Sequence, residues 1–65
     1  MYGLELSGVG RDGKRGAHNI SGFSSIEAAV EKAKQLAATN TFYWGKATHY
    51  RVTDNFGRVV QEGSP

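Results

Sequence analysis

Two histidines, His18 and His49, are the residues of this sequence best suited to proton transfer near neutral pH. The carboxylates available to pair with them are Glu5, Asp12, Asp54 and Glu62. No spacing in the sequence brings a histidine within hydrogen-bond reach of a carboxylate, and no cysteine is present as a nucleophile or thiolate ligand. We therefore expect a protein that is not an enzyme, with no catalytic residues, no metal ion and no cofactor.

Residues 8–13 match the G-x-G-x-x-G string of nucleotide-binding loops. In dinucleotide-binding proteins this string follows a strand and opens directly into a helix, whose N-terminus faces the pyrophosphate. Here a second strand pattern follows the string, and the first helix pattern starts only at Ser24. We therefore interpret the string as a flexible hairpin tip.

Arg11, Lys14 and Arg15 form the densest group of positive charges, offset in part by Asp12. Basic residues on a glycine-rich loop can reach phosphates or an acidic protein surface, whereas the simpler interpretation is a solvated loop that maintains solubility. If the last hairpin lies beside the first, four further residues extend the patch: Lys46, His49, Arg51 and Arg58.

The aromatic residues give a second set of candidate contacts. Phe42, Tyr43 and Trp44 follow the helix pattern, where they either plug the open end of a small core or stack on a partner. Phe56 lies in a predicted turn, where side chains are normally exposed. It either folds back onto the sheet or anchors a contact.

A helix is predicted over residues 24–39, directly before the aromatic residues 42–44, and helps to position them. Ser24 and Glu27 have the spacing of a capping box, and Asn40 is a suitable left-handed stop. The apolar residues that share one stripe of this helix are Ile26, Ala29, Val30, Ala33, Leu36 and Ala37.

Four strand patterns surround the helix, over residues 2–7, 15–20, 48–53 and 58–62. Thr48, Tyr50 and Val52 are expected to face the helix, and His49, Arg51 and Thr53 to point away from it. Together the elements predict an α+β fold, a four-stranded, mostly antiparallel sheet with one amphipathic helix packed on one face (ββαββ). Residues 1–62 form the single predicted domain, and residues 63–65 a frayed tail.

Composition limits the class of protein. The chain has 65 residues, no cysteine and a formal net charge of +2, so a disulfide framework is excluded and a strongly basic nucleic-acid domain is not indicated. No stretch approaches a membrane span, and the N-terminus lacks the pattern of an export signal. We expect a cytoplasmic protein.

The alanine-rich helix and the segment 50–60, with its glycine turn, give a layout that resembles small ββαββ bacterial and phage domains. Some domains of this type are uncharacterised, and others are phage-encoded anti-CRISPR proteins. The resemblance implies binding to an effector complex or to nucleic acid. It does not extend to the glycine-rich first hairpin and assigns no site residue.

The sequence therefore favours a small interaction module that contacts a protein partner through the uncovered sheet face and the basic hairpin tip. Two alternatives stay open. The first is a nucleic-acid-binding module that uses the same tip. The second is a structural homodimer that pairs open faces or edge strands, an arrangement that would cover whichever of Val59 and Val60 points away from the helix.

Overall fold

The computed structural model describes residues 1–10, 12–39, 42 and 45–65. Its elements in chain order are β1 (Tyr2–Val9), β2 (Arg15–Phe23), α1 (Ile26–Thr39), β3 (His49–Thr53) and β4 (Val59–Gly63). The predicted α+β, ββαββ fold is confirmed. The predictions made for Arg11, Asn40, Tyr43 and Trp44 lie outside the described residues.

The strands form one open sheet in the order β2-β1-β3-β4, and every neighbouring pair is antiparallel. The first and last strands of the sequence therefore do not meet. In the centre, Leu6 lies opposite His18 on one side and Tyr50 on the other. One step along β1, Glu5 lies opposite Asn19 and Arg51.

The core lies between α1 and the two central strands. The buried apolar residues among those described are Leu4, Leu6, Ala29, Ala33, Ala47, Tyr50 and Val52. Leu4, Leu6, Tyr50 and Val52 occupy alternate positions of β1 and β3, so the period-2 patterns predict this face correctly. Thr48 departs from the pattern, because it precedes β3 and its side chain is exposed.

The helix begins one residue later than the capping-box prediction requires. The Oγ of Ser25, not that of Ser24, accepts a hydrogen bond from the Ala28 amide at 3.1 Å. Ser25 is therefore the N-cap, and Glu27 lies in the first turn, where its charge suits the helix dipole. Ala29 and Ala33 are buried, and their small side chains let α1 lie close to the sheet.

Both edge strands contain an irregularity. In β2, Gly22 has a φ of 95° and is the extra residue where the register with β1 shifts between Tyr2 and Gly3. In β4, the register with β3 shifts so that Val59 lies opposite Thr53 and Gln61 opposite Val52, which leaves Val60 as the extra residue. Val59 and Val60 are consequently both exposed, at 47% and 40%.

The helix packs on β1, β3 and, less extensively, on β2. The side chains of β4 are exposed from Val59 to Glu62, and the strand runs to Gly63, one residue beyond the predicted end of the domain. None of the helices among the described residues is long and apolar enough to cross a membrane. The face of the sheet opposite α1, the outer face, has no covering element among these residues.

Candidate interaction surface

The two hairpin turns lie at opposite ends of the sheet. Because β1 and β3 are antiparallel, Ser7 lies opposite His49 at one end and Gly3 opposite Thr53 at the other. The first turn, residues 10–14, is therefore remote from the second turn, residues 54–58. The last hairpin does lie beside the first, but Arg58 lies at the far end of the sheet and does not extend the basic patch of the first turn, so the prediction for Arg58 is wrong.

The first turn is closed by hydrogen bonds between its own residues, one of them to a side chain. The amide of Gly10 donates to the Lys14 carbonyl at 2.8 Å, and the Lys14 amide donates to Oδ1 of Asp12 at 3.0 Å. Gly13 has a φ of 79°, which favours glycine. Lys14 and Arg15 are exposed, as expected, but the Asp12 carboxylate beside them reduces the local positive charge.

His49 lies on the outer face at the same end as the first turn, where it lines a shallow groove with Arg15 and Ala17. Its Nδ1 is 2.9 Å from the Thr48 hydroxyl. Lys46 is exposed ahead of β3. Of the described residues proposed for the basic patch, Lys14, Arg15, Lys46 and His49 thus lie at this end of the sheet, and Arg15 and His49 line one groove.

Arg51 stands in the middle of the outer face between two carboxylates. Its guanidinium lies 3.9 Å from Glu5 and 3.5 Å from Glu62, one on each neighbouring strand. We call these three residues the charged row. With two acids to one base, the charged row is not a phosphate-binding centre, although each exposed pair adds only about 0–1 kcal/mol to stability.

Asp54 organises the second turn. Its Oδ1 accepts hydrogen bonds from the amides of Phe56 at 2.8 Å and Arg58 at 3.0 Å, and its Oδ2 accepts one from Nε of Arg58 at 3.1 Å. The Gly57 amide donates to the Asp54 carbonyl at 3.1 Å, and Gly57 has a φ of 79°. The backbone hydrogen bond from Arg58 is the main cause that lowers the pKa of the Asp54 carboxyl below its ordinary value.

Phe56 projects from this turn and is 82% exposed. It does not fold back onto the sheet, and its role as a contact anchor stays a prediction. The guanidinium carbon of Arg58 lies 5.4 Å from the centre of its ring, within cation–π range. The same end of the sheet also exposes Met1, whose ammonium group donates to Oδ1 of Asn55 at 3.0 Å.

A groove on the outer face adjoins the second turn. Its floor consists of small or polar residues, Gly3, Ser21 and Thr53, and it is bordered by Gly57 and Val59. Its volume is about 380 Å³. The groove reaches Glu5 and Arg51 of the charged row, so an apolar side chain, Val59, and charged side chains line the same groove.

The glycine string has a structural role in this fold. Gly8 is buried within β1, opposite Gly16. At Gly10 the backbone is approached by Gly45, whose Cβ, if it had one, would lie 3.1 Å from the Gly10 Cα. The chain then continues into β2 and not into a helix, so the string does not place amides at a helix N-terminus.

The two histidines lie on opposite faces of the sheet. The His18 ring is on the helix side, with its centre 5.0 Å from that of the Phe42 ring, and Phe42 packs against the core. His49 is on the outer face, so the two rings cannot act on one substrate. In the part of the chain that the structure describes, no three acidic or histidine side chains form a group able to hold a metal ion.

Comparison of the chain with family models, curated proteins and solved structures finds no match in any of the three. The resemblance to small bacterial and phage domains therefore stays a prediction.

Proposed function

We propose that this protein is a non-enzymatic interaction module, and that it contacts a protein partner through the outer face of its sheet with Phe56 as the anchor. The observation that carries the proposal is the exposed Phe56 ring on a turn fixed by Asp54. Interfaces are enriched in aromatic side chains, and few residues supply most of their binding energy.

The second turn is fixed by hydrogen bonds, which distinguishes Phe56 from an aromatic residue on a loop that lacks them. Two backbone amides, those of Phe56 and Arg58, donate to the Asp54 carboxylate and hold the turn around the ring, and Nε of Arg58 donates a third hydrogen bond to it. A preorganised side chain loses less entropy on binding, so more of its contact area contributes to affinity. Phe56 also adds little to its own domain, because most of its surface remains in water.

The neighbouring groove supplies the rest of the surface. Val59 extends the apolar area from the turn, and the charged row provides donors and acceptors at the other border. This combination of an apolar anchor with a polar rim is typical of protein–protein interfaces. Phosphate binding has less support, since both Arg51 and Arg58 are paired with carboxylates.

The test is photo-crosslinking in the cell that makes the protein, with benzoylphenylalanine replacing Phe56. The matched control places the same group at Val9, which is 58% exposed at the opposite end of the sheet. We expect a discrete protein adduct from position 56 and none from position 9. Equal labelling from both positions, or none from either, would contradict the proposal.

The captured partner then allows an affinity measurement. Phe56→Ala is expected to weaken binding by about 30-fold or more, the effect of an anchor worth about 2 kcal/mol, and Val9→Ala to leave it unchanged.

A titration with mixed-sequence DNA tests the alternative function, nucleic-acid binding. Salt-dependent amide shifts that disappear when Lys14 and Arg15 are both changed to Ala would instead indicate a nucleic-acid-binding module.

A further inference from the structure

The edge of the sheet formed by β2 has few of the features that usually prevent edge-to-edge pairing, since its one bulge, at Gly22, lies near the end of the strand. Edge strands are commonly shortened, bulged or given inward charges, because their outer backbone groups are open to another strand. In β2 the only charged residue is Arg15, at the start, and residues 16–20 pair with β1 without interruption. The other edge, β4, has five residues, a bulge at Val60 and the charged Glu62.

The register identifies which backbone groups of β2 point outward. The Gly10 amide bonds the Lys14 carbonyl, so the hydrogen-bonded pairs of the hairpin continue at every second residue, through Gly16, His18 and Ile20. The residues between them turn their N–H and C=O groups away from β1. These residues are Arg15, Ala17, Asn19 and Ser21.

This set of outward groups is self-complementary. If two copies of β2 run antiparallel with Asn19 opposite Asn19 of the second copy, Ala17 lies opposite Ser21 of that copy. Ala17, Asn19 and Ser21 then each meet an outward-facing residue of the second copy, as hydrogen-bonded antiparallel pairs require, whereas Arg15 lies beyond this stretch. The outer-face side chains of this stretch, Ala17, Asn19 and Ser21, are small and uncharged, so no like charges oppose each other.

The helix side of the seam adds apolar contact. Ile20 and Phe23 are half-buried at this edge, and the same register places His18 beside Ile20 of the second copy. The domain itself has a thin core, since buried apolar side chains in the described ranges come from two strands, the helix and Ala47. A domain of about 60 residues buries a smaller fraction of its surface than a larger one, so area buried by association would add to its stability.

We propose that a second copy of this chain pairs with β2 about Asn19, which joins the two sheets into one continuous sheet with both helices on the same face. The arrangement is two-fold symmetric and closed, as is usual for homodimers. It uses a different edge from the second turn, so it does not depend on the proposed function. Phe56→Ala is expected to leave it intact.

Sedimentation equilibrium over a range of concentrations provides the test. The wild-type mass should rise from 7.0 kDa toward twice that value. Asn19→Lys places two ammonium groups opposite each other at the symmetry axis and should return the mass to that of the monomer. Glu5 lies opposite position 19 within one copy, so the new lysine is compatible with the monomer fold. The matched control is Val60→Lys on the other edge, which should still dimerise.

Amide hydrogen exchange keeps the proposal testable if Asn19→Lys fails to fold. In the dimer the Ala17, Asn19 and Ser21 amides are bonded across the seam, so they should exchange more slowly as protein concentration rises. A wild-type chain that stays monomeric would overturn the proposal. The proposal would also be overturned if Val60→Lys dissociated the dimer and Asn19→Lys did not. The same holds if the exchange rates of these amides did not change with protein concentration.

Discussion

Gly45 lies against the backbone of Gly10, so closely that a side chain at position 45 would require the Gly10 backbone to shift. A Cβ on Gly45 would lie 3.1 Å from the Gly10 Cα, and Gly45 has a φ of 137°, a conformation that other residues rarely adopt. This contact joins the segment after the helix to the end of β1. Gly10 of the first hairpin therefore allows close packing, although the sequence around it resembles a nucleotide-binding loop.

Gly45→Ala should destabilise the protein by about 1–3 kcal/mol, because it adds both backbone strain and a close contact. Gly13→Ala is the matched control. Gly13 also has a positive φ, of 79°, but nothing lies within 4 Å of its would-be Cβ, so only the strain applies. Urea denaturation measures both variants. Equal losses would mean that neither the contact with Gly10 nor the more strained φ of Gly45 adds to the cost.

Ser25→Ala should lower the free energy of unfolding by about 0.5–2 kcal/mol, since it removes the acceptor for the Ala28 amide. Ser24→Ala should change it by no more than about 0.5 kcal/mol. Both variants are measured by the same urea titration. If Ser24→Ala proved the more harmful, the capping box expected from Ser24 and Glu27 would be correct after all.

Ala33→Leu should destabilise the protein by about 1–3 kcal/mol, because Ala33 is fully buried and a larger side chain would push α1 away from the sheet. Ala38→Leu, on an exposed position of the same helix, controls for helix propensity. Thermal unfolding followed by circular dichroism compares the two. A stable Ala33→Leu variant would indicate spare volume between the helix and the sheet.

Acid should weaken the second turn through Asp54. Its pKa is lowered in the folded protein, so the unfolded chain binds a proton first as pH falls through about 3.9. The contribution of Asp54 to stability is therefore present above that pH and is lost as pH falls further through the folded pKa. Urea midpoints at pH 7 and pH 3 measure the loss.

Asp54→Asn separates this effect from the other carboxylates. The amide oxygen can still accept from the Phe56 and Arg58 amides, but it cannot lose or gain a proton in this range. The variant should be less stable than wild type at pH 7 and should lose less stability between pH 7 and pH 3. An identical pH dependence in both proteins would show that Asp54 is not the responsible group.

The architecture was predictable because it depends on local periodicity. The alternation of Tyr50 and Val52 on β3, and of Leu4 and Leu6 on β1, assigns the buried face without knowledge of the partners. The capping residue was predicted one position too early, because two adjacent serines both satisfy the preference for an N-cap. Only the hydrogen bond distinguishes them.

The interaction surface was less predictable, since it depends on strand order and register. The sequence places Arg51 on the outer face, but its pairing with Glu5 and Glu62 follows only from β3 lying between β1 and β4. Likewise, Arg58 is separated from Lys14 because the central strands are antiparallel. The Asp54 turn carried a readable signal, an aspartate three residues before a glycine, which predicts hydrogen bonds to the following amides.

The central position of β1 has a consequence for the kinetics of folding. One neighbour, β2, follows it immediately, but the other, β3, comes only after the whole helix. Pairing β1 with β3 closes a long loop, and such non-local closure slows folding. A hairpin alone is marginally stable, so a nascent chain gains its lasting order only when β3 has emerged. Opening of the β1–β3 seam would then be equivalent to global unfolding, and its amides would exchange last.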